Sequence, residues 1–176
     1  MVNKVDRYGD FLPEDKIWAT VITAPEPFNP SENNGKFAFF LAGAIDMGAA
    51  VDWQAQVIQH FERTDCVIVN PRRKRDFRPD DMDEQISWEL DALEKVDAIL
   101  MWFPKDAKAP ISFFESGMYL RHPKLLIGAE EGFYRRRNLE LTTHRYGVNL
   151  FWTLSDEIEA MGDRIQEHNQ RLRDGR

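Results

Sequence analysis

The chain has 176 residues, a length that suits one domain and allows a substantial core. Apolar residues make up 43% and aromatic ones 12%, which excludes a disordered chain. Asp and Glu outnumber Lys and Arg by 30 to 23, and this net charge of −7 favours no nucleic acid and no anionic membrane, so a small ligand is the expected partner.

Residues 1–35 read as an N-terminal leader, because "TAPEPFNPSENNG" forbids regular structure over most of it. Within the leader "IWATVIT" (17–23) alternates enough for a strand, and the prolines after it suit the edge of a sheet. Residues 36–176 form the α/β domain. "KFAFFLAG" is a continuous apolar strand, and "AVDWQAQVIQHFER" follows as a helix on Val51, Ala55, Ile58 and Phe61. The alternation repeats through "CVIVNP", "MDEQISWELDALEKV", "DAILMWFP", "SFFESGMYLR" and "KLLIGA". A polar loop, "EGFYRRRNLELTTHRYG", leads to a last strand in "VNLFW" and a closing helix from Leu154 with Ser155 as its N-cap. Unbroken apolar strands separated by helices predict a doubly wound parallel sheet with helices on both faces. Ligands of such sheets bind beyond the carboxyl ends of the strands, which directs attention to the loops after residues 42, 70 and 103.

Cys66 is the only cysteine, in a strand that reads as buried, so the chain fits a reducing compartment. The first residues lack an apolar export segment and no run reaches the length of a membrane span, which makes a cytoplasmic protein the expectation. His60, His122, His144 and His168 fall at no metal-ligand spacing, so no metal is predicted.

The loop "AGAIDMGAA" matches neither a dinucleotide fingerprint nor a phosphate loop. Its Gly43, Asp46 and the following Asp52 read either as a tight turn with acids near a helix start or as contacts to a ligand. After the next strand come Asn70 and then Arg72, Arg73, Lys74, Arg75 and Arg78, a cluster that could hold a phosphate or simply be a solvated loop. Two acids stand out among apolar neighbours. Glu115 lies four residues after Ile111 and three before Met118, so it is expected to point inward with them; Ser112 offers the alternative of a capping box. Glu89 flanks the stripe of Ile86, Leu90 and Leu93 and reads either as a second inward carboxylate or as an acid reaching water from its border. Asp97, at the amino end of its strand, reads as structural. A pair of carboxyl groups in a semi-apolar pocket is what glycosidic chemistry requires, one to attack or stabilise the anomeric carbon and one to manage a proton.

Taken in order, "FFLAGAIDMGAAVDWQ", "NPRR", "QISWELDALEKVDAILMWFP", "PISFFESG" and "GFYRRRN" resemble the nucleoside 2-deoxyribosyltransferase-like family, over about residues 37–149. The resemblance implies a flavodoxin-like fold, a homo-oligomer, and cleavage of the N-glycosidic bond of a 2′-deoxynucleoside with transfer of the sugar to another nucleobase or to water, without a cofactor. It makes Glu115 the nucleophile, Glu89 the acid that assists it, Gly43 the sugar-side glycine and Asn138 the asparagine donated across an oligomer interface. The family's Asp six residues before the nucleophile is Ala109 here, its tyrosine before the first loop is Phe39, and Glu89 is one methylene longer than the usual Asp. An ionised Glu115 is expected to need hydrogen bonds from Ser112, Ser116 or helix amides. Two rival readings are a nucleoside 5′-monophosphate hydrolase and a nucleotide-binding sensor without chemistry.

Overall fold

The structure, a computed structural model, describes residues 17–45, 51–73 and 81–175. The apolar runs form the strands β1 (Thr20–Thr23), β2 (Phe37–Gly43), β3 (Cys66–Asn70), β4 (Ala98–Phe103), β5 (Leu125–Ala129) and β6 (Leu150–Phe151). They pair in the order β1-β3-β2-β4-β5-β6, and every pairing is parallel. Between and after them lie α1 (Trp53–His60), α2 (Met82–Lys95), α3 (Pro110–Tyr119), α4 (Arg136–Tyr146) and α5 (Leu154–Arg173). This is a flavodoxin-like α/β fold, with β1 added at one edge as the prolines beyond it suggest.

Crossovers between parallel strands are right-handed, so the direction of travel decides which face each helix covers. The chain moves one way from β2 to β3 and the other way from β3 to β4, β5 and β6. On one face α1 and α5 place Trp53, Val57, Met161 and Ile165 against Phe39, Leu41, Ile68 and Leu100. On the other, Leu93, Tyr119 and Leu139 from α2, α3 and α4 cover Phe40, Val69, Met101 and Ile127. The reversal falls between β2 and β4, and in such sheets a ligand is expected above the carboxyl ends of the strands at that point.

Several local expectations change. The stretch read as a polar loop contains α4, whose apolar signal is thin because only Arg136, Leu139 and Thr143 are buried along it. Arg136 anchors that helix: its guanidinium donates to the Ala129 carbonyl oxygen and lies 3.7 Å from the centre of the Trp152 ring. Thr153, not Ser155, caps α5, its side chain accepting from Asp156 N at 3.1 Å. Asp97 has the structural role expected of it, accepting from Ala38 N at 2.8 Å.

Candidate active site

Glu115 sits in the second turn of α3. That helix begins earlier than the S-x-x-E pattern suggests: Ala109 is its N-cap, in the left-handed region at φ 43°, and Pro110 is the first helical residue. Proline suits that position because it has no N–H to satisfy. Ser112 is therefore inside the helix, and the capping-box alternative does not apply. The packing direction, however, differs from expectation. Ile111, Phe114 and Met118 are exposed at 65%, 70% and 51%, while Ser112, Glu115, Ser116 and Tyr119 are buried. Glu115 lies on the seam between these two sides of the helix, and the polar side packs inward. The stripe on α2 divides in the same way: Leu93 is buried, whereas Ile86 and Leu90 are exposed.

Burial pushes the Glu115 carboxyl from its ordinary 4.5 up to about 7, and the charge of nearby Glu89 adds to the rise. The donors expected to oppose this are engaged elsewhere or absent. Ser116 Oγ donates to the Phe113 carbonyl oxygen at 2.7 Å, and among the described residues the Glu115 carboxyl has no hydrogen-bond partner. Glu89 is also raised by burial, but Gln85 and Arg73 act against the rise. Gln85 Nε2 donates to Glu89 Oε1 at 2.6 Å and to the Pro71 carbonyl oxygen at 3.1 Å. Burial thus acts on both carboxyl groups, and the charge of Glu89 further disfavours ionisation of Glu115.

Gly43 closes β2 at φ 137°, opposite Trp102. A methyl group there would overlap the Trp102 carbonyl oxygen and lie 2.9 Å from Trp53 Cζ2, so only glycine fits the close approach of the two strands. Asp52 caps α1, its Oδ1 accepting from Ala55 N at 3.0 Å. Arg72 reaches the same corner, with Nε 3.6 Å from Asp52 Oδ1 and 3.3 Å from Gln54 Oε1. Asn70 is buried at the end of β3, and its Oδ1 accepts from Arg72 N at 3.0 Å. Arg73 Nη2 is 2.8 Å from Glu84 Oε2, so this guanidinium too is committed to an acid. Asp46 lies outside the described residues, as do Lys74, Arg75 and Arg78.

Two further positions were singled out by the resemblance. Phe39 points into the core under α1, edge-on to Phe61 at 5.4 Å, on the opposite face of the sheet from α3. A residue there cannot reach the nucleophile's side chain, because successive residues of a strand point to opposite faces. Asn138 is exposed on α4. The residue that the sequence reading missed is Gln85, and its signal was the spacing of four to Glu89 on one helix face.

Among the described residues, no group of three or more His, Cys, Asp or Glu side chains is arranged to hold a metal ion, and no helix is long and apolar enough to cross a membrane. The arrangement is thus a buried carboxyl group, Glu115, influenced by a half-buried one, Glu89, on the two helices that cover one face of a parallel sheet near its switch point.

No curated protein matches the chain. The family model described as nucleoside 2-deoxyribosyltransferase like matches residues 36–133 of the 176. That stretch runs from the start of β2 past the end of β5 and includes Gly43, Glu89 and Glu115, with Asn138 beyond it. The chain belongs to the nucleoside 2-deoxyribosyltransferase-like family.

Proposed function

We propose that this protein cleaves the N-glycosidic bond of a 2′-deoxynucleoside and transfers the deoxyribosyl group to another nucleobase. The observation that carries the reading is the buried Glu115 carboxyl, raised to about 7 and coupled to Glu89, in a chain of this family. The working form is the pair holding one proton. As the bond to the base breaks, the Glu115 carboxylate attacks C1′, and the shared proton passes to the departing base directly, through Glu89 or through water. The product is a glycosyl ester on Glu115 plus the neutral base. An acceptor base then attacks C1′ from the freed face, the ester bond breaks, and the acceptor's proton returns to the pair. Two displacements retain configuration. A 2-deoxy sugar suits the chemistry, because it lacks the electron-withdrawing hydroxyl that would oppose positive charge at C1′.

Gly43, Asn70, Arg72, Asp52 and Asp46 are proposed to line the substrate side of the crevice. Arg72 and Arg73 are occupied by Asp52 and Glu84, which favours a nucleoside over a 5′-monophosphate as substrate. We also propose that the protein acts in the cytoplasm as a homo-oligomer, in which Asn138 reaches a neighbouring subunit's site. Ile86 and Leu90 on α2, with Ile111, Phe114 and Met118 on α3, form an exposed apolar surface around the acids, which such contact would cover. The test is to incubate deoxynucleosides with a second free base and separate the products. Exchange of bases supports transfer, base release alone supports hydrolysis, and tight binding without either supports a sensor. Loss of all turnover in Glu115→Ala, with the fold retained, would support Glu115 as nucleophile, and near-normal turnover would exclude it.

A further inference from the structure

Gln85 on α2 is buried between the loop that follows β3 and the acid pair. One hydrogen of its amide goes to the Pro71 carbonyl oxygen at 3.1 Å, and the other to Glu89 Oε1 at 2.6 Å. Its carbonyl oxygen accepts from Arg73 Nε. Flipping the amide would aim its oxygen at the carboxylate and the Pro71 carbonyl and its hydrogens at the guanidinium, so one orientation is imposed. In that orientation Glu89 receives an N–H, which a carboxylate accepts more strongly than a neutral acid.

Burial raises the Glu89 carboxyl on balance, and two neighbours oppose that rise. Among the described residues, Arg73 from the loop after β3 favours the charged form of Glu89, and Gln85 on α2 does so by hydrogen bonding. Glu115 on α3 lacks such a partner and faces the charge of Glu89. Tyr119 on α3 is made harder to ionise, first by burial and then by the charges of Glu94 and Glu115.

We propose that Gln85 is a positioning residue of the pair, holding Glu89 as its ionised member so that the shared proton rests on Glu115 until substrate arrives. The catalytic consequence rests on the reaction proposed above: the proton leaves Glu115 and reaches the base on the opposite face of the sugar by way of Glu89 or water, and the Glu115 carboxylate left behind becomes the nucleophile. The location of the proton itself requires no turnover.

Two substitutions in the full chain test the proposal. Gln85→Met fills the space without hydrogen bonds, and Gln85→Glu keeps an acceptor for Arg73 while removing the donor to Glu89. Carboxyl carbons followed by NMR, assigned with Glu89→Gln and Glu115→Gln, report which acid ionises first. In the wild-type protein Glu89 is expected to titrate below Glu115, and in both Gln85 variants Glu89 is expected to move to higher pH. At the acid end of the profile, kcat/KM should then fall about tenfold relative to wild type, the loss that one pKa unit produces. A Glu89 titration unchanged in both variants would overturn the proposal, as would a wild-type profile restored by Gln85→Glu, which would mean that only the Arg73 contact matters. If no turnover is found in any variant yet Glu89 shifts, the reaction fails and the role of Gln85 stands.

Discussion

Replacing Glu115 with Gln should stabilise the protein at alkaline pH while removing its activity. Burial and Glu89 raise the carboxyl from 4.5 to about 7, so an ionised Glu115 is tolerated poorly inside the fold. At about 1.36 kcal/mol per pKa unit, the difference corresponds to about 3 kcal/mol. The sign follows from linkage. Below the unfolded value both states are protonated and the wild type suffers no penalty. Between 4.5 and about 7 the unfolded chain releases its proton while the folded one keeps it, so stability falls as pH rises. Above about 7 the folded state is ionised as well and the full penalty persists. Glutamine has the same shape and no charge to bury, so its gain should be absent at pH ~4 and complete at pH ~8. For a chain of this size, a gain of that order raises Tm by roughly 6 to 12 °C. Urea and thermal unfolding of both proteins at a series of pH values measure it, with deoxynucleoside turnover followed in parallel. An equal gain at both pH extremes, or a variant less stable than wild type at pH ~8, would refute the claim that the site holds its acid at the expense of the fold.

Other outcomes follow from the same geometry. On the proposed mechanism one proton must reach the departing base, so kcat/KM should fall as pH rises through about 7, where Glu115 ionises; a profile that keeps rising above that pH would remove the shared-proton mechanism. Gly43→Ala places a methyl against the Trp102 carbonyl oxygen at a φ of 137°, and denaturation should show a loss of about 3 kcal/mol or more. Phe114→Asp on the exposed side of α3 should reduce the molar mass measured by light scattering if that surface joins subunits, and leave the circular dichroism of the fold intact. Glu157 is completely buried, with Oε1 accepting from Met101 N and Oε2 unpartnered among the described residues. Its carboxyl is raised well above the ordinary range by burial, so Glu157→Gln should also gain stability as pH rises, and a gain independent of pH would contradict that assignment.

The order of strands and helices was readable because each core strand is apolar on both faces, a pattern that only a sheet covered on both sides satisfies. Glu115 and Glu89 were readable as candidates for a related reason: an acid among apolar residues carries a desolvation cost and stands out. Which way each helix faces was not readable, since Ser112 and Ser116 on one side of α3 and Ile111, Phe114 and Met118 on the other satisfy helical spacing equally well. Composition favoured the apolar side as buried, and packing of α3 on the sheet reversed it. The helix α4 was hidden because its buried residues are few and its anchor is an arginine, whose guanidinium finds the Ala129 carbonyl oxygen and the Trp152 ring only after the sheet has assembled.

By itself, then, the sequence determined the alternation of strands and helices, a glycine at the end of the first core strand, and two acids among apolar neighbours, since all of these depend on local side-chain chemistry and spacing. The tertiary structure decided which sides of α2 and α3 turn inward, that Glu115 has no donor among the described residues, and that Gln85 ties Glu89 to Pro71 and Arg73. Those facts depend on groups distant in the chain meeting in one low-dielectric crevice, where an ionisation equilibrium is set by neighbours and not by residue type.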